Sequence, residues 1–276
     1  MAIEARILDG KPRSFSGEWL SVSKVKTFKD CPAKFRYNYI EKLPRKTWDF
    51  HVFGQFAHSS LENFHQIIKD GDSRPENEIM TDSFKMAAKE HKKATTAQKK
   101  ELWAMMNSYL SKMAQDKSDD VWPDVTEVED NFYIDIDGKV LLNGFIDRVQ
   151  IDSDGVLHVA DYKTTKNKSY LKNDHLQLQT YAYVKCLQDP TLERVRTSYI
   201  LLRHGFESIT KEYTRKQIMK TEERFLKFAE DIKSEKLWRP ATSRLCRFCD
   251  FLEHCGDGKA EIHRGVSVKY GALDWS

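Results

Sequence analysis

An α/β or α+β core with helical additions is the architecture predicted by the order of periodicities along this chain. Apolar residues recur at helical spacing to about residue 115 and alternate with polar ones from Val125. A helix, two strands and a further helix then follow. With 276 residues, 40% of them hydrophobic, the chain can bury a substantial core as one large domain or two small ones.

Residues Met1 to Gly17 have no clear period and read as a lead-in. Ser21 or Ser23 can cap a helix carrying Val25 and Phe28. Pro32, directly after Cys31, ends that helix and opens the next through Tyr39 or Ile40. Val52 to Lys69 is strongly amphipathic, with Phe56, Leu61, Phe64 and Ile68 inward and His58, Glu62 and His65 on one side. Two Lys-rich segments, about Pro75 to Lys93 and Ala97 to Gln115, read as a helical insertion or cover. A strand around Thr126 to Ile136 turns at Asp137-Gly138 into Lys139 to Ile151. Asp174 can cap a helix through Leu187, strands near Arg194–Leu202 and Glu207–Tyr213 follow, and one long helix runs from Thr214 to about Lys233.

No apolar run approaches the roughly 20 residues of a membrane span, and the first residues lack a signal peptide's apolar core, so a cytoplasmic protein without membrane contact is expected. The net charge of +3 excludes little. Between Ser21 and Phe50, however, eight Lys and Arg stand against three acids, interleaved with Phe28, Phe35, Tyr37, Tyr39, Trp48 and Phe50. That mixture suits a polyanion with stackable bases, and equally a solvated helix with its core side.

The chemistry gathers around one hairpin. Asp152-Ser153-Asp154-Gly155 is a turn, and a hairpin centred on Asp154 sets Asp147 opposite Asp161 on one face, with Lys163 beside them. Val149, Ile151, Leu157 and Val159 share the face, so these charges stand where an apolar surface runs out. Two carboxylates there are costly without a cation between them. Magnesium or manganese takes oxygen ligands, and a neighbouring lysine can position or activate water. Taken alone, Asp-x-Lys is also an ordinary strand-edge alternation. His58 alone is more often structural than a ligand, and Glu62 can orient it, serve a metal or simply be solvated. Gln177 and Tyr181, one helical turn apart, can hydrogen-bond a phosphate or the lysine.

Five cysteines in a cytoplasmic chain argue for a metal or cluster rather than disulfides. Cys246, Cys249 and Cys255 crowd together and need a fourth ligand. Cys31 is the natural candidate, since Cys186 sits in a helical pattern. Uneven spacing with a distant fourth cysteine suits a cubane cluster better than a zinc ribbon, although zinc with His254 or His263 as substitute ligand stays open.

Taken together, these residues resemble the RecB-type branch of the PD-(D/E)xK nucleases, especially its iron–sulfur exonucleases: the CRISPR-adaptation nucleases, the AddB nuclease domain and phage relatives. The similarity runs through Leu20-Ser-Val-Ser to Cys31-Pro-Ala-Lys-Phe35, then Gly54-Gln-Phe-Ala-His58-Ser-Ser-Leu-Glu62, Gly144-Phe-Ile-Asp147-Arg, Asp161-Tyr-Lys163-Thr and Gln177-Leu-Gln-Thr-Tyr181, and ends at the late cysteine triplet. The proline of the family name is absent, since Phe145-Ile146 precedes Asp147, as is common in RecB-type members.

The resemblance implies a restriction-endonuclease-like mixed central sheet flanked by helices, in a single nuclease domain over residues 1–276. Its parts would be 18–50 and 236–260 as the two halves of a cluster region, 70–120 as a helical insertion and 125–215 as the catalytic core. It implies that His58, Asp147, Asp161 and the Tyr162 carbonyl hold Mg2+ or Mn2+, supported by Glu62. Lys163 would act on the hydrolytic water, with Gln177 and Tyr181 placing the lysine or the DNA backbone. Cys31, Cys246, Cys249 and Cys255 would hold a 4Fe-4S cluster clasping the N- and C-terminal regions, with zinc as the alternative. The expected activity is exonucleolytic cleavage of DNA, preferably at single-stranded ends, in a bacterial, archaeal or phage-infected cell. No Walker A loop is present, so any unwinding falls to recombination or CRISPR-adaptation partners. The competing reading is an inactive iron–sulfur or zinc protein that binds DNA or partners in such a complex.

Overall fold

The turn at residues 152–155 sets the register of the sheet. Gly155 takes φ +78° and donates its N–H to Asp152 O, while Asp154 Oδ1 accepts from Val156 N. In the computed structural model, which describes residues 3–171 and 175–270, the flanking strands β4 (Val140–Ile151) and β5 (Leu157–Lys163) pair antiparallel with Arg148 against Ala160. That register makes Asp147 and Asp161 neighbours across the strands.

A seven-stranded sheet grows outward from this hairpin. On one side β3 (Asp124–Ile136) pairs with β4, and the short β1 (Ala5–Ile7) pairs with β3. On the other side β6 (Arg194–Leu201) runs parallel to β5, and β7 (Glu207–Thr214) closes the order. Off this path, β2 (Glu18–Leu20) pairs with β4. The sheet is therefore mixed rather than a meander. Its parallel step arises because α6 (Leu176–Gln188) carries the chain from β5 back to start β6 at the same end.

Three helices cover one face: α3 (Asp49–Lys69), α4 (Glu76–Glu90) and α5 (Thr96–Ser118). Phe53, Phe56, Leu61 and Phe64 of α3 join Met80, Leu102 and Met106 of α4 and α5 in a core that also takes Ala160, Tyr162 and Ile200 from the sheet. Helix α6 lies on the other face, where Tyr181 meets Phe132 edge-on at 6.3 Å.

The chain forms two compact units. One comprises Met1–Trp19 and Trp48–Leu226, the other Leu20–Thr47 and Lys227–Ser276. The second contains α1 (Val22–Asp30), α2 (Pro32–Phe35), a π-helical turn (Arg36–Ile40) and α9 (Gly256–Tyr270). Its core is aromatic: Phe35 stacks on Trp238 at 5.7 Å, Phe28 meets both rings edge-on, and Tyr37 packs on Phe251. The aromatic residues interleaved with lysines are thus largely spent on packing, although Phe50, in the first unit, remains 50% exposed.

Three local expectations change. Ala5–Ile7 is a strand, with Arg6 paired to Asp135, because three residues are too few to display a period. The helix expected over 214–233 divides into α7 (Arg215–Met219) and α8 (Thr221–Ser234), since Lys220 relaxes to ψ −8°; buried Ile218 and Phe225 keep helical phase across the break and so conceal it. The N-cap of α6 is His175, which makes no side-chain cap, and the expected cap Asp174 lies outside the described residues. Ser21 does cap α1, accepting from Lys24 N at 3.2 Å. Among the described residues no helix is long and apolar enough to cross a membrane.

Candidate metal centre

Asp147, Asp161 and Lys163 project from one face of the hairpin. Lys163 Nζ stands 2.5 Å from Asp161 Oδ2 and donates to Gln177 Oε1 at 3.0 Å. Gln177 Nε2 in turn donates to Asp161 Oδ1 (2.6 Å) and to the Tyr181 hydroxyl (2.8 Å). The glutamine therefore locks both the lysine and the carboxylate from α6. Asp161 Oδ2 is buried and, despite its ion pair, has no partner in hydrogen-bonding alignment. It retains a lone pair of the kind a cation takes.

His58 reaches this end of the hairpin from α3, with 30% of its side chain exposed. Its Nε2 is 2.8 Å from the Tyr162 carbonyl and its Nδ1 is 3.2 Å from Asp147 Oδ2, which also accepts Tyr162 N–H at 2.8 Å. His65, expected on the same side, is instead buried and bonded to the Tyr109 hydroxyl. Burial and then the charge on Glu90 push Glu62 up, with Asp147 adding to the rise and His58 opposing it.

Glu129 is a site residue the sequence reading missed. A ligand atom from each of His58, Glu129 and Asp147 lies within 4.8 Å of the other two. Glu129 holds φ +48° in β3, which breaks the alternation there. Lys185 of α6 pins the strand on both sides of it, through Glu127 and through Asp130 at 2.7 Å. A signal was available: Ile136 pairs with Val140, and counting outward from that turn sets Glu129 opposite Asp147.

Gly144 is required by close approach. A Cβ there would stand 2.8 Å from Phe132 Cζ, and the Phe132 ring packs against Tyr181, whose hydroxyl Gln177 contacts. Gly144→Val is expected to destabilise the fold by about 1–3 kcal/mol, measured by urea unfolding, because the buried Phe132 ring has little room to move.

The electrostatics describe a site crowded with acids. Burial opposes ionisation of Asp147, but the charge and hydrogen bond of His58 and the Tyr162 N–H outweigh it and hold Asp147 below the usual carboxylate range. Burial, assisted by Asp147, pushes Asp161 up to about 6 against the pull of Lys163. Burial and the charge on Asp147 push Glu129 up to about 7. Burial disfavours the His58 cation, yet Asp147 and Asp161 raise it to about 9. A protonated imidazole there stands beside the Lys163 ammonium, which is ion-paired with Asp161.

These shifts carry a sign. Three groups bind protons more tightly in the folded state, so their contribution is complete at low pH and is lost as pH rises through about 6, 7 and 9. In EDTA the melting temperature is expected to fall from pH 6 to pH 9. Added Mn2+ should raise it, by an increment that grows with pH as the cation replaces those protons. A manganese increment independent of pH in a melting series would contradict this account.

The four cysteines Cys31, Cys246, Cys249 and Cys255 line one cavity in the second unit, together with Tyr37, Leu252 and Gly258. Each thiol is met by main-chain N–H. Cys31 Sγ accepts from Lys34 and Ala241 (3.4 Å each), Cys246 Sγ from Ser243 (3.3 Å) and Cys255 Sγ from Gly258 (3.3 Å). Burial pushes the Cys249 thiol up, against the main-chain N–H of Phe251. Cys186 is fully buried in α6 of the other unit.

The model of the PD-(D/E)XK nuclease superfamily matches residues 19–256, a span that includes the hairpin, His58, Gln177 and all four clustered cysteines. The chain belongs to this superfamily. A solved structure titled "Crystal structure of SSO0001" is similar over 87% of this chain and 86% of its own, at 16% identity and a TM-score of 0.39. No curated protein matches the sequence. As a PD-(D/E)XK nuclease, the protein is of a family that hydrolyses DNA with divalent cations such as Mg2+ or Mn2+, and the acid–histidine group at the hairpin offers the donors such a cation takes.

Proposed function

We propose that the protein is a DNA exonuclease of the RecB-type iron–sulfur branch, acting on single-stranded ends in CRISPR adaptation, recombination or phage DNA metabolism. The observation that carries the reading is the closed network of Lys163, Asp161, Gln177 and Tyr181 beside the group of His58, Glu129 and Asp147. His58, Asp147, Asp161 and the Tyr162 carbonyl would hold the cation, with Glu129 added to the ligands named from sequence and Glu62 behind it. The cation, when bound, supplies a Lewis acid for the phosphate and lowers the pKa of water. Lys163 orients the attacking water and offsets charge on the phosphate, and Gln177 keeps the ammonium in place. As a ligand His58 would be neutral, so it would give up a proton on binding the cation.

Phe145 supports a substrate with unpaired bases. It is 52% exposed and two residues from Asp147 along β4, where a base near the scissile phosphate can stack on its ring.

The four cysteines, each supplied with main-chain N–H donors, are the donor set of a thiolate-bound cluster.

End-labelled digestion tests the substrate reading. With Mn2+, single-stranded DNA should shorten progressively from an end and a closed circle should persist. Cleavage of single-stranded circles at the same rate would overturn the exonuclease assignment.

A further inference from the structure

On the sheet face opposite Asp147 and Asp161, a cleft of about 410 Å³ is lined by Trp122, Arg148, Gln150, Phe206 and Ser208 among others. That volume falls within the roughly 300–1,000 Å³ of small-molecule sites. Arg148 alternates with Asp147 along β4, so its side chain takes this face, where it is only 5% exposed. Its Nη1 donates to the hydroxyls of Tyr109 (2.9 Å) and Tyr162 (3.1 Å), and its buried Nε has no acceptor. The cleft's other long cations are paired with carboxylates: Lys112 with Asp116, and Arg196 with Asp152 and Asp154. Arg148 meets neutral hydroxyls and, at 5.5 Å, the face of the Tyr162 ring, but no carboxylate among the described contacts. Two residues along the same face, Gln150 Oε1 is buried without a donor.

A buried guanidinium lacking an anion is unfavourable unless something in the adjacent space supplies one. The space here has a cation at its floor, an unfilled carbonyl beside it and the aromatic rings of Trp122 and Phe206 in its walls. We propose that this cleft binds a nucleoside monophosphate, with the phosphate on Arg148, the base against Trp122 and Phe206, and an amino group of the base on Gln150 Oε1. The site is separate from the metal centre but touches it through one residue. Arg148 bonds the Tyr162 hydroxyl, while the Tyr162 main chain contacts both Asp147 and His58.

Calorimetric titration of the full chain with deoxyadenosine 5′-monophosphate, in EDTA, tests this. Wild type should bind saturably, with adenosine and inorganic phosphate each at least about tenfold weaker. Arg148→Met removes the cation at similar length. Ser208→Trp fills the cleft from an exposed strand position and so keeps the fold if Arg148→Met does not. Each should weaken binding at least about tenfold, and Asp161→Asn should leave it unchanged. No binding by wild type, wild-type affinity in Ser208→Trp, or equal affinity for adenosine or phosphate would overturn the proposal. So would loss of binding in Asp161→Asn, which would put the nucleotide on the metal centre.

Discussion

Lys163→Met is expected to lower the rate of DNA hydrolysis by about 10²–10⁴-fold while the protein still binds Mn2+. The ammonium stands against Asp161 Oδ2 and is tethered by Gln177, so it is positioned for chemistry at the cation rather than for ligation of it. Methionine keeps the length and apolar stem of lysine but removes the charge and all three donors. The cation site should survive, because Asp147, Asp161, Glu129 and His58 remain. Loss of the ammonium removes a charge that repels the metal, so affinity should hold or rise. Rates with saturating Mn2+, paired with calorimetric metal titration, separate the two effects. Retention of more than about a tenth of the wild-type rate would reduce Lys163 to a strand-edge ion-pair partner.

Cys31→Ser is expected to cost the protein most of its iron and to lower the melting temperature by about 10 °C. Cys31 caps α2 through Lys34 N and borders the cavity shared with Cys246, Cys249 and Cys255, so one substitution opens the proposed ligand set. The aromatic core of that unit, with Phe35 on Trp238, is small, and a bound cluster would supply much of its stability. Anaerobically purified wild type should be brown, and the serine variant pale. Cys186→Ser, in the other unit, should keep its iron. A colourless wild type with stoichiometric zinc would contradict the cluster.

The hairpin was legible because its register is fixed locally. An Asp-Gly turn needs a left-handed residue, Gly155 supplies it at φ +78°, and strand alternation then does the rest for Asp147, Asp161 and Lys163. Glu129 lies opposite Asp147 in the register counted from the Asp137-Gly138 turn, but its φ of +48°, with Lys185 of a distant helix holding its neighbours Glu127 and Asp130, departs from strand geometry. No periodicity encodes that contact. The aromatic–basic segment left two readings open for the converse reason: composition cannot tell a ring that meets a base from one that meets Trp238, and Phe28 and Phe35 meet Trp238. The parallel step between β5 and β6 likewise depends on where α6 docks, which three neighbouring strands in sequence do not reveal.

The acids and histidine at the hairpin are proposed to hold a cation that activates water for DNA hydrolysis. Asp161→Asn tests this most directly, since it changes one oxygen at the buried carboxylate between Lys163 and Gln177. In a degradation assay with Mn2+, wild type should digest linear DNA, EDTA should stop it, and Asp161→Asn should lose at least about 10²-fold in rate while melting within a few degrees of wild type. Equal digestion by the variant, or an inert wild type with Mn2+ bound, would contradict the account.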